Sequence, residues 1–158
     1  LHSTSRRQRQ MCIRDRVSGA DGNNKLLTAV IKAANLYISN DSTGAAEAIA
    51  DVDVSSLPVE EAKTLYNTIS GATMMNAAND LYNRGMTAYN KADYTTAADL
   101  LVRAYKCDKT KADAVFYAAK SYVALNQPDN AKKYYQIIAD EFKSSGYVTE
   151  AQAYVQSH

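Results

Sequence analysis

Catalysis needs positioned nucleophiles, bases or metal ligands, and this chain carries few. Its histidines are His2 and His158, at the two ends of the sequence, which leaves no imidazole for a general base or zinc site inside a fold. Its cysteines are Cys12 and Cys107, too few and too far apart in type of surroundings for a metal cluster. Cys107, near an expected helix end, reads as a small, partly buried apolar residue. The acidic pairs Glu60-Glu61 and Asp140-Glu141 do not converge either, because adjacent residues on a helix point about 100° apart. Glu60-Glu61 suits the positive end of a helix dipole, and Asp140-Glu141 a solvated face. Neither a glycine-rich phosphate loop nor a nucleophile elbow occurs. The expectation is a protein that is not an enzyme, with no cofactor and no metal.

The 12 tyrosines offer a different chemistry. Tyrosine gives large contact area at low conformational cost and a hydroxyl for orientation, which suits recognition of another chain. The elements that must position these rings are helical. With 46% hydrophobic and 22% charged residues the chain is not globally disordered, and 6 Gly with 2 Pro are few for an all-β fold. Abundant alanine among rings fits closely packed helices. No apolar run approaches the roughly 20 residues of a membrane span.

Residues 1–16, LHSTSRRQRQMCIRDR, hold five arginines, no lysine and no apolar periodicity. The string resembles translated sequencing-adapter read-through of metagenomic assemblies, and 1–25 is read as a non-native or disordered segment; the rival reading of the arginines is a basic arm for nucleic acid or anionic lipid. Without the five arginines and Asp15, the rest carries 13 basic and 16 acidic residues, a net −3. Such a balance gives no electrostatic footprint for nucleic acid.

From Leu26 the apolar residues Leu26, Leu27, Val30, Ile31, Ala34 and Tyr37 recur at helical spacing. Asn40–Gly44 ends that helix, Ala45–Val52 forms a second, and Ser55–Pro58 turns into a third over Val59–Ile69. Its inward face is Ala62, Leu65, Tyr66 and Ile69. Ser70-Gly71 predicts a break or kink. Helices then follow over Met75–Lys91, Tyr94–Lys106, Ala112–Leu125, Pro128–Phe142 and Val148–Gln156, joined by short links. Pro128 fits a first helical position, where its missing N–H costs nothing.

A shift of 34 residues aligns Leu81 with Val115, Gly85 with Ala119, Ala97 with Ala131, Leu101 with Tyr135 and Ala104 with Ile138. Leu81–Asp108, LYNRGMTAYNKADYTTAADLLVRAYKCD, and Val115–Phe142 thereby resemble the tetratricopeptide repeat (TPR) family. The marks are Gly85, Asp93-Tyr94, Ala97 and Ala104, then Tyr122, Ala131 and Tyr135. Leu81 and Val115 stand where the family often has Trp, and Lys109 where it has Pro. The segment YISNDSTGAAEAIADVD echoes the same turn 52 residues earlier, with Asp41, Ala45, Ile49 and Val52 in step. The whole is also similar to the C-terminal portions of membrane-anchored TPR proteins of gut Firmicutes.

The resemblance implies an all-α fold over 26–158, with helical hairpins stacked as a short right-handed solenoid and a capping helix at the C-terminus. The clearest repeats span about 78–143. It implies a protein–protein interaction or scaffold module that binds a peptide or partner protein in a concave groove. Carried over by position, the groove is lined by Asn79, Tyr82, Met86, Tyr89 and Asn90, then by Asp113, Phe116, Lys120 and Val123. Tyr82 and Met86 stand where chaperone-tail binders place Lys and Asn, so an internal or hydrophobic segment is the expected ligand. The alternative is a self-associating spacer of an anchored bacterial surface protein, a homo-oligomer. Neither reading involves nucleic acid, or contact with a membrane by this stretch itself.

Overall fold

The computed structural model describes residues 21–158, all of it helices and links. The arginine-rich segment 1–16 and the loop expected from Val17 to Ala20 lie outside the described residues. Seven α-helices occur among them: α1 (Asp21–Ile38), α2 (Ser42–Ile49), α3 (Glu60–Asn90), α4 (Tyr94–Cys107), α5 (Ala112–Ala124), α6 (Pro128–Glu141) and α7 (Val148–Ser157). A single 3-10 turn, Val54–Ser56, lies between α2 and α3. The first helix starts at Asp21, so residues 21–25 are helical and not the loop expected there.

The chain divides into two compact units after Gly71. In the first, α1 packs on α2. Leu27, Val30 and Ala33 of α1 are buried, as are Ala45, Ala46 and Ile49 of α2, each set at spacings of one, three or four. Asp41 caps α2, its Oδ1 accepting the Gly44 N–H at 2.8 Å. Asp53 Oδ1 accepts the Ser55 N–H at 2.9 Å and starts the 3-10 turn. The Ser55 hydroxyl and N–H and the Ser56 hydroxyl together hold the Asp53 carboxyl below its usual range. On the first turns of α3, Ala62 and Ile69 are buried, but Leu65 is 38% exposed.

The expected break at Ser70-Gly71 is absent: α3 runs 31 residues without interruption. The side chains explain why. Ile69, Thr73, Ala77, Ala78 and Leu81 continue one buried stripe through this region. The Thr68 hydroxyl donates back to the Thr64 carbonyl, and that of Ser70 to Asn67, so neither competes for a turn. Gly71 costs a helix only about 1 kcal/mol, less than burial of one Ile or Leu returns.

In the second unit α4 packs on α5, α5 on α6 and α6 on α7. The core is built of alanines (Ala77, Ala78, Ala97, Ala98, Ala104, Ala114, Ala118, Ala119, Ala131, Ala151) with Leu81, Leu101, Val115, Tyr135 and Ile138 between them. Small residues bring helix axes together. Gly85 shows it most directly: a Cβ placed there would lie 2.8 Å from Leu101 Cγ, so α3 and α4 meet over a bare backbone.

One turn occurs three times. Asn40 (φ 62°), Ala92 (φ 60°) and Asn126 (φ 55°) are left-handed residues just past a helix end. In each, the following N–H reaches five residues back: Asp41 to the Leu36 carbonyl at 2.9 Å, Asp93 to Ala88 at 3.0 Å and Gln127 to Tyr122 at 2.9 Å. Those bonds satisfy carbonyls that a helix end otherwise leaves free. The same three residues then accept from the next helix, at Ala45, Ala97 and Ala131. Asp93 adds a side-chain cap, accepting the Thr96 N–H at 3.2 Å, whereas Gln127 relies on Pro128 in the first turn.

Candidate functional site

The residues carried over as groove positions all belong to the second unit, on α3 and α5. Asn79, Tyr82, Met86, Tyr89 and Asn90 recur at three and four along α3 and share a face. Asn79 and Asn90 are exposed; Tyr82, Met86 and Tyr89 are half-buried. On α5, Asp113, Phe116, Lys120 and Val123 follow the same spacing. Val123 is 43% exposed and Asp113 and Lys120 are half-buried, but Phe116 is only 6% exposed. Its ring is packed away, so it supports this face and presents little of it.

Rings join the two helices. Tyr89 meets Tyr94 edge-on at 5.5 Å and Tyr117 at 5.2 Å. Tyr117 meets Phe116 at 5.5 Å, and Phe116 stacks on Tyr147 at 4.2 Å and 15°. From Phe116 a branch runs to Tyr135 at 6.1 Å and on to Tyr154 at 4.7 Å. Edge-to-face and offset pairs of this kind contribute about 0.5–1.5 kcal/mol each beyond their burial. The rings come from α3, α4, α5, α6, α7 and the link before α7, so they tie these elements to one another.

Polar groups punctuate the rings. The Tyr82 phenol and the Asp113 carboxylate lie near each other, so the two stripes meet there. Burial, reinforced by the Asp113 charge, pushes the Tyr82 phenol up to about 12. The Lys111 ammonium lies 5.5 Å from the centre of the Tyr82 ring. Lys120 Nζ sits 5.2 Å from the Phe116 ring centre and 3.7 Å from Glu150 Oε1. That same oxygen accepts the Tyr135 hydroxyl at 3.3 Å, and burial first, then Glu150, raises the Tyr135 phenol.

The structure therefore brings Tyr82 to Asp113, and Tyr89, Phe116 and Lys120 into one ring network. Asn79, Met86, Asn90 and Val123 extend the two stripes. Tyr117 and Tyr147 are in the network and were not among the residues expected there. Tyr117 is four residues after Asp113 and three before Lys120, so helical spacing already puts it on the α5 face, while Tyr147 precedes the last helix and belongs to no periodic pattern. For Tyr147 the one sequence signal is residue type.

Groups suited to other chemistry are placed elsewhere. Cys107 is buried at the end of α4. His158 stacks on Tyr154 at 4.2 Å. Among the described residues no three His, Cys, Asp or Glu side chains gather as a metal set, and no helix is long and apolar enough to cross a membrane. Comparison with family models, with curated proteins and with solved structures finds no match to this chain.

Proposed function

We propose that this chain is a protein–protein interaction module of the tetratricopeptide type, which holds an extended segment of a partner along the face shared by α3 and α5. In this reading α3 (from Ala72) with α4, and α5 with α6, are consecutive repeats, and α7 closes the array. The observation that carries it is the recurrence of one helix-turn-helix connection at Ala92 and Asn126, 34 residues apart, with the same bond pattern and the same buried alanine after it. A unit that repeats at this period presents its first helices side by side. Their shared face is where Tyr82, Tyr89 and Tyr117 gather and where Asn79 and Asn90 remain exposed. Tyrosine and asparagine together provide contact area and paired donors and acceptors for a peptide backbone.

The test is the double variant Tyr82→Ala with Tyr89→Ala. Its capture of partner proteins should fall at least about tenfold, as expected when a central aromatic pair is truncated, while its helical circular dichroism persists. Unchanged capture by a folded variant would place recognition on another face.

A further inference from the structure

The partner's chemistry can be narrowed, and this step rests on the peptide-binding reading. Tyr82 from α3, Asp113 and Tyr117 from α5 and Tyr147 from the link before α7 gather at one place. The Asp113 carboxylate and the Tyr82, Tyr117 and Tyr147 phenols are near enough to influence one another electrostatically. Tyr117 and Tyr147 are tied to each other through Phe116, at 5.5 and 4.2 Å.

Two carboxylates, Glu150 and Asp113, differ in their partners. Glu150 is matched by Lys120 at 3.7 Å. Asp113 accepts the Ala114 N–H at 3.0 Å and lies near the Tyr82 phenol, but no ion pair among the described residues involves it. A carboxylate flanked by phenol rings is a receptor for a cation, since the ring faces and the anion attract the same charge. The chain itself demonstrates the attraction, for Lys111 rests over the Tyr82 ring without reaching Asp113.

We propose that the bound segment carries an arginine or lysine whose charged end docks against Asp113 among Tyr82, Tyr117 and Tyr147. Arginine fits best, because a planar guanidinium can bond the carboxylate and lie along a ring at once.

The experiment titrates the full chain with N-acetyl-arginine amide and, separately, with N-acetyl-citrulline amide, which has nearly the same shape and no charge. Ring-labelled tyrosines report binding by nuclear magnetic resonance. The arginine probe should move the Tyr82, Tyr117 and Tyr147 signals at about three- to fivefold lower concentration than citrulline, the scale of an exposed cation–π contact with a charge partner. Asp113→Asn should abolish that preference with its melting curve retained. Equal response to the two probes overturns the proposal, as does a response confined to Tyr105 and Tyr134 or a preference that survives Asp113→Asn. Should that variant fail to fold, the two probes on the unaltered chain decide alone. Equal shifts by both probes along α3 and α5 would remove the cation and leave the peptide face standing. An unchanged partner capture in the Tyr82→Ala, Tyr89→Ala variant would instead remove the face.

Discussion

Ala92 holds a backbone conformation (φ 60°) that an alanine adopts only at a cost, while Asn40 and Asn126 occupy the equivalent places with a residue that tolerates it. Ala92 is exposed, so nothing is lost by removing its methyl group. Ala92→Gly should raise stability by about 0.5–1 kcal/mol after the added freedom of the unfolded chain is counted, read as a higher Tm. The same change at Asn126 should do much less. Tyr82 gives a second prediction at this scale. Its phenol is raised from 10.0 to about 12 by burial and by Asp113. The folded state thus holds this proton more tightly than the unfolded chain. The associated stability is intact below pH 10 and declines as pH rises from about 10 to about 12. Alkaline titration of tyrosinate absorbance should show Tyr82 ionising late together with Tyr105 and Tyr135, and in Asp113→Asn one group of that late set should move to lower pH.

The two helical glycines of α3 should respond in opposite ways. Gly71 is exposed and a Cβ there meets open space, so Gly71→Ala should stabilise by up to about 1 kcal/mol. Gly85 is pressed against Leu101, and Gly85→Ala should destabilise by about 1–3 kcal/mol despite the better helix propensity. Denaturant melts of the two variants separate propensity from packing. Gly71 also marks where sequence pattern misled. Glycine after serine reads as a stop, yet a stop needs either a left-handed residue or a lost hydrogen bond, and Gly71 supplies neither. Helix ends were legible where a turn residue and a cap coincide, as at Asn40-Asp41, Ala92-Asp93 and Asn126 to Pro128. The early start of α1 at Asp21 was not, because Asp, Gly and two Asn give no apolar period to follow.

Across the molecule, the same connection closes three helix pairs, and the 34-residue shift in sequence locates two of them because it matches residues by size at the tight crossings. Size matching says nothing of lateral contacts between first helices. That is why Tyr89 and Tyr117, and Phe116 and Tyr147, became visible only in three dimensions. It also explains Phe116: by position it lines a groove, and in the fold Tyr147 covers it. The central claim, a peptide-binding face on α3 and α5, is tested most directly by presenting the full chain with a random peptide library and mapping the selected binders by amide hydrogen exchange. Protection should concentrate between Asn79 and Asn90 and between Asp113 and Val123, and Tyr82→Ala with Tyr89→Ala should abolish it. Protection on α4 and α6 instead, around Tyr105 and Tyr134, or binders indifferent to the two tyrosines, would contradict the account.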